Sequence, residues 1–233
     1  MFTVKKIYNR FERHIRQLFK SSGLRTIVYV DGFNLYYGAL RKPEHKWLDI
    51  NKLCEKLLAK NKIEHIKYFT ADVKSLPNDP NKPLRQALYL RALGTLSNVS
   101  IIKGFYSKQK KSRLLVNPTA NQKRALVWNF EEKGTDVNLA SHLVFDGFRK
   151  KYDMAVVVSN DTDLLEPIRI VEEELNIPVG VISPFTTNIW GYANHGKHTF
   201  FKEIRSKKLL ESCQFPNNLT DSKGTFTKPP EWK

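Results

Sequence analysis

Two short apolar runs constrain this chain more than any other feature: residues 26–30 (TIVYV) and 154–158 (MAVVV). Runs this short are strand-length rather than helix-length. Apolar side chains at every position, not every second one, require a strand covered on both faces. Residues 179–182 form a third such run, and 63–73 and 99–104 read as further strands. Helical patterns lie between them: a turn at 35–40, then 50–60 with Ile50, Leu53, Leu57 and Leu58 on one face, and 84–96. Two more follow, at 137–148 with Ala140, Leu143, Val144 and Phe148 facing inward, and at 164–175. Residues 199–204 are expected to add an edge strand. Strands alternating with helices predict an α/β fold with a parallel sheet flanked by helices.

The remaining segments depart from that rhythm. Residues 1–23 read as a basic amphipathic extension: a helix over 1–20, with Ile7, Phe11, Ile15 and Leu18 at helical spacing, and then a short hinge. Residues 75–83 are a proline- and asparagine-rich loop. Residues 105–124 hold Lys108, Lys110, Lys111, Arg113, Lys123 and Arg124 and no acidic residue, with Phe105, Tyr106 and Trp128 interleaved or flanking. They read as a β-hairpin or loop excursion, either an RNA-binding arm or a lysine-rich loop with core aromatics at its root. From residue 206 onward, prolines, asparagines and glycine suggest a loose tail over 206–233. The folded domain is thus placed at 24–205.

Lysine and arginine total 39 against 23 aspartates and glutamates, a net charge of +16. Solubility needs far less, about 2–8 for a small domain, so the excess favours a polyanionic partner. No apolar run approaches membrane-spanning length, the first residues lack the continuous apolar stretch of a secretory signal, and a cytoplasmic location is expected. Two cysteines far apart, Cys54 and Cys213, make a disulfide framework or a thiolate metal site improbable.

In parallel sheets ligands sit beyond the carboxyl ends of the strands. Asp31 directly follows 26–30, and Asp161 and Asp163 follow 154–158. Asp136 precedes the helix at 137–148 and shares its inward stripe. Each carboxylate has a plainer role as a helix cap or turn residue. Jointly they gather negative charge at one rim of a basic protein. Like charges so placed raise one another's pKa, and a divalent cation relieves the repulsion. The donors are all oxygen, and no histidine or cysteine accompanies them, which favours Mg2+ or Mn2+ over zinc.

The segments Val30-Asp31-Gly32-Phe33-Asn34-Leu35, Lys133-Gly134-Thr135-Asp136-Val137 and Val158-Ser159-Asn160-Asp161-Thr162-Asp163-Leu164 resemble, in order and spacing, the three signature blocks of NYN-domain proteins in the PIN-like nuclease superfamily. The resemblance covers about residues 25–204. It implies a doubly wound PIN-like fold and a Mg2+- or Mn2+-dependent ribonuclease that leaves a 5′-phosphate and a 3′-hydroxyl. It also implies that Asp31, Asp136, Asp161 and Asp163 are the catalytic, metal-holding residues. Asn34 then fixes a ligand or water near Asp31, Ser159 and Thr162 bond the carboxylates or a phosphate, and Lys133 contacts phosphate. Asn160 stands where many members have glycine, and asparagine tolerates a left-handed turn.

The implied partner is RNA, single-stranded or structured, with homodimer formation open and no organic cofactor. Two alternatives stand beside the nuclease. One is a non-catalytic RNA-binding module, against which the grouped aspartates weigh. The other is a small-substrate phosphatase of the haloacid dehalogenase kind, which needs a second aspartate two residues after the first, where this chain has Phe33.

Overall fold

A computed structural model of the chain describes residues 23–76, 78–185 and 198–232. The basic helix expected at 1–20, most of the hinge after it, and Pro77 of the 75–83 loop lie outside the described residues.

Strand β1 (Arg25–Asp31) runs directly into α1 (Gly32–Ala39). Helix α2 (Ile50–Leu57) leads to β2 (Lys62–Thr70), and α3 (Lys82–Leu93) leads to β3 (Val99–Lys103). The basic excursion is an antiparallel hairpin of β4 (Phe105–Leu114) and β5 (Arg124–Lys133). Helix α4 (Thr135–Phe148) then returns the chain to β6 (Met154–Val158). After α5 (Leu165–Arg169), β7 (Val179–Ser183) and β8 (Phe200–Glu203) complete a six-stranded sheet in the order β3-β2-β1-β6-β7-β8. Every neighbouring pair in it is parallel. This is the α/β, PIN-like architecture, with helices on both faces.

The order reverses beside β1: the chain first steps outward to β2 and β3, then crosses back to lay β6 on the other side. Such a switch point opens a crevice at the strands' carboxyl ends. The apolar runs follow from burial on both faces. Val28 and Val30 of β1 and Val156 and Val158 of β6 enter one core, with Trp47, Leu53 and Tyr89. Ile27, Tyr29, Ala155 and Val157 enter the other, with Leu139, Leu143 and Ile168.

The structure corrects three expectations. On α4, Leu143 is buried and Ala140 and Val144 pack against the core as expected, together with the buried Leu139 and Asp146, whereas Phe148 is 72% exposed. The helix expected at 164–175 is divided into a tight turn (Thr162–Leu164), α5, and a wider turn (Ile170–Glu174) closed by the Leu175 amide on the Ile170 carbonyl at 3.2 Å. The residues after 206 are not loose. They form α6 (Lys207–Ser212) and a hairpin of β9 (Asn218–Asp221) and β10 (Gly224–Thr227), and they end on the buried Trp232. Trp47 is ringed by Phe215, Phe226 and Trp232 at centroid distances of 5.9, 6.4 and 6.1 Å, and its indole N–H donates to the Pro216 carbonyl at 2.8 Å. Arg91 ties the second hairpin down through Asp221 at 2.7 Å.

Candidate active site

The register of β1 against β6 pairs Val30 with Val158, so Asp31 and Ser159 emerge side by side at the switch point. The Ser159 hydroxyl, fully buried, donates to Asp31 Oδ2 at 3.0 Å, and its oxygen accepts the Asp161 amide at 3.1 Å. Asp31 Oδ1 caps α1 by accepting the Asn34 amide at 2.9 Å. Asn34 Oδ1 in turn accepts the Asn160 amide at 2.8 Å, and Asp161 Oδ1 accepts the Asp163 amide at 3.0 Å. One continuous hydrogen-bond chain thus joins the loops after β1 and β6. Gly32 is required there, because a Cβ would meet the Phe69 carbonyl and the Tyr68 ring at 2.7 Å.

The third segment arrives through Gly134, whose φ of 85° is a left-handed turn that favours glycine. That turn starts α4 and places Asp136 in its first turn, where the helix dipole favours a carboxylate. It also brings in Glu132, at the end of β5 opposite Tyr106. Glu132 Oε1 is buried with no hydrogen-bond partner among the described residues.

The electrostatics tie these groups together. Burial, reinforced by Asp136 and Asp161, pushes the Asp31 carboxyl up to about 6 against the opposing hydrogen bonds from Asn34 and Ser159. Burial and then the charges of Asp136 and Asp31 push Glu132 up to about 7. Asp136 is raised by burial and by Asp161 and Asp163. Among the described residues no lysine or arginine pairs with Asp31, Glu132, Asp136 or Asp163.

The structure therefore draws Asp31, Asp136, Asp161 and Asp163 to one rim, with Asn34, Ser159 and Asn160 as the scaffold between them. Asn160 does not use a left-handed turn: among the described non-glycine residues only Lys150 and Asn176 have positive φ. Thr162 is exposed at the edge of the cluster. Lys133 is turned away, with its ammonium 3.3 Å from Glu131 on the opposite face of the hairpin. Sequence reading missed Glu132. The signal was present, because strand alternation puts Glu132 with Phe130 and Trp128 and puts Glu131 on the other side.

A cavity of about 130 Å3 adjoins α1. Phe33, Tyr36, Tyr68 and Tyr89 line it, together with Lys46 and Lys82.

A parallel sheet with a carboxylate cluster at its switch point defines the PIN-like class of nuclease-like hydrolases. The chain belongs to the NYN domain family, whose profile matches residues 25–193. It is 32% identical over 244 residues to 6-hydroxy-3-succinoylpyridine 3-monooxygenase HspA of Pseudomonas putida (strain DSM 28022 / S16), a match spanning 91% of this chain and 76% of that protein. A solved structure of a Vibrio parahaemolyticus RIMD 2210633 protein of unknown function aligns with a TM-score of 0.47 at 13% identity, covering 80% of this chain and 96% of that one.

Proposed function

We propose that this chain is a divalent-cation-dependent ribonuclease. The observation that carries the reading is the cluster of Asp31, Glu132, Asp136, Asp161 and Asp163, crowded at the switch point of a chain with net charge +16. The donor chemistry fits a hard cation, being all carboxylate oxygen, with Glu132 Oε1 buried and unbonded. Among the described residues no three His, Cys, Asp or Glu side chains already converge on one point, so Asp31, Asp136, Asp161 and Asp163 would have to close on a cation to hold it. Mg2+ or Mn2+ held there supplies an activated water and offsets charge developing on phosphorus. The protein's own contribution is positional. Asn34 and Ser159 hold Asp31 and the Asp161 loop in fixed relation, and α4 delivers Asp136 from the opposite side. The chain's net charge of +16 would favour the phosphate backbone.

The test is cleavage of labelled single-stranded RNA by the purified chain with Mn2+, with Mg2+ and with EDTA, beside Asp161→Asn/Asp163→Asn. Cutting that needs metal and vanishes in the double variant is expected. Equal cutting by the variant, or none by the unaltered chain, overturns the reading.

A second reading has one observation in its favour. The name of the Pseudomonas putida relative describes oxygenation of a pyridine bearing a hydroxyl and a succinoyl group. The aromatic cavity suits one planar ring, since cavities of about 150 Å3 take up benzene. Lys46 and Lys82 at its wall have no ion-pair partner among the described residues and would receive a carboxylate tail. Calorimetric titration with 6-hydroxy-3-succinoylpyridine separates the two. Saturable binding that Tyr36→Ala weakens, in a chain that cuts no RNA, selects the small-molecule reading.

A further inference from the structure

We propose that one face of the β4–β5 hairpin is a stacking track that feeds single-stranded RNA into the carboxylate site; the proposal rests on the ribonuclease reading above. The antiparallel register sorts the hairpin into two unlike faces. Tyr106 opposes Glu132, Lys108 opposes Phe130, and Lys110 opposes Trp128, so these six residues share one face. Its inner end is Glu132, within the acidic cluster, and its outer part is exposed, with Trp128 54% accessible. A row of rings leads outward, from Phe33 to Tyr106 at 6.4 Å and from Tyr106 to Phe130 at 6.4 Å. Trp128 continues it, about 7 Å further along the strand.

The lysines of this face have no carboxylate partner among the described residues. The Lys108 ammonium lies 4.5 Å from the centre of the Trp128 ring and 5.6 Å from that of Phe130, and Lys110 lies 5.1 Å from Trp128. On the opposite face both lysines are held by a carboxylate. Glu131 there holds Lys111 at 2.7 Å and Lys133 at 3.3 Å, and Arg113 bonds Asn129 at 2.9 Å. Exposed rings interleaved with unpaired ammonium groups are the chemistry of a single-stranded nucleic acid: bases stack on the rings while the ammonium groups meet phosphates. Stacking of this kind needs bases that are not already paired, which excludes a duplex along the track. A base settling on Trp128 displaces the two ammonium groups sideways, towards the flanking phosphates.

The experiment is fluorescence anisotropy of a labelled single-stranded RNA of about twelve nucleotides with the full chain in EDTA, across a salt series. Trp128→Ala/Phe130→Ala is expected to weaken binding about 10- to 100-fold, with Trp128→Phe restoring most of it in the Phe130-containing chain. Lys108→Ala/Lys110→Ala is expected to lower the logarithmic salt slope by about 1.4. Val127→Ala, on the opposite face of β5, is expected to bind like the unaltered chain. Unchanged affinity in both double variants overturns the track. So does loss in the double variants of binding to anionic phospholipid vesicles while RNA affinity stays constant. Binding read without metal is independent of cleavage. A chain that never cuts but binds through Trp128 defeats the nuclease reading and keeps the track, whereas a chain that cuts while its affinity ignores these residues defeats the track only.

Discussion

Asp31 and Asp146 are almost equally buried, at 5% and 1% exposure, yet they carry opposite electrostatics. Burial alone would raise Asp146. Hydrogen bonds from Lys67, Lys151 and Tyr29 overcome it and hold the carboxyl below its ordinary value. Lys151 lies at 2.9 Å and the Tyr29 hydroxyl at 2.8 Å, with Lys67 closer still. Asp31 is raised by its burial, has only an amide and a hydroxyl as opposing donors and faces other carboxylates, so it is pushed up to about 6. Depth raises both carboxyls; the donors around Asp146 reverse that rise, and those around Asp31 do not. Asp146 is a completed structural pair. The Asp31 group is an arrangement that folding leaves electrically unfinished.

The sharpest way to break that contrast is to exchange the losses. Asp31→Asn is expected to reduce metal-dependent RNA cleavage by about 1,000-fold or more while leaving the thermal midpoint within a few degrees. Asp146→Ala is expected to do the reverse. It strands Lys67 in the interior and lowers unfolding stability by about 3–5 kcal/mol, read from urea midpoints, with cleavage per folded molecule retained. Asp146→Leu with Lys67→Met, which removes both charges, is expected to recover most of that loss. If the single and double variants are equally unstable, the ion pair is not what Asp146 contributes.

A smaller effect concerns the cation. Mn2+ at about 100 times its dissociation constant is expected to stabilise the chain by about 2.7 kcal/mol at neutral pH, seen as a raised midpoint. The rise is expected to be less near pH 5, where protons compete for the carboxylates. It should be absent in Asp161→Asn/Asp163→Asn. The smallest effect is a slope with pH in the metal-free chain. Asp31 and Glu132 titrate at about 6 and about 7 when folded, above their unfolded values. Between about pH 4 and 7 the folded chain keeps protons that the unfolded chain has released, so these groups make stability fall as pH rises. Asp146 acts with the opposite sign: its contribution is present above the ordinary carboxylate range and is lost as pH falls through the folded value. Denaturant midpoints from pH 4 to 8, with and without Asp31→Asn, separate the two.

The parts of this design legible in the sequence were those written locally. A five-residue apolar run followed at once by aspartate declares both a doubly covered strand and the rim it ends on, which placed Asp31 and Asp161. Asp136 was legible because three to four residues of helix relate it to an apolar stripe. Glu132 was harder to place: alternation along β5 gives its side, but only the pairing of β5 with β4 and the turn at Gly134 bring that side to the aspartates. Asp146 lies on the inward stripe of α4, where periodicity expects an apolar residue. Its partners Lys67 and Tyr29 are 79 and 117 positions away. The last segment was misjudged for a related reason. Phe215, Phe226 and Trp232 are too widely spaced to form any period, and prolines and asparagines dilute them, yet each supplies a wall around Trp47.

That ring around Trp47 gives the two faces of the sheet different birth times. The core holding Tyr29, Leu143 and Val181 has its last packing residue at Phe201, whereas the core around Trp47 and Tyr89 waits for Phe226 and Trp232. At synthesis rates of about 5–20 residues per second, the 31 positions from Phe201 to Trp232 take about 2–6 s. Until those residues arrive the face around Trp47 lacks two of its covering rings. A chain cut short within this stretch is therefore expected to leave Trp47 and Tyr89 uncovered and to aggregate.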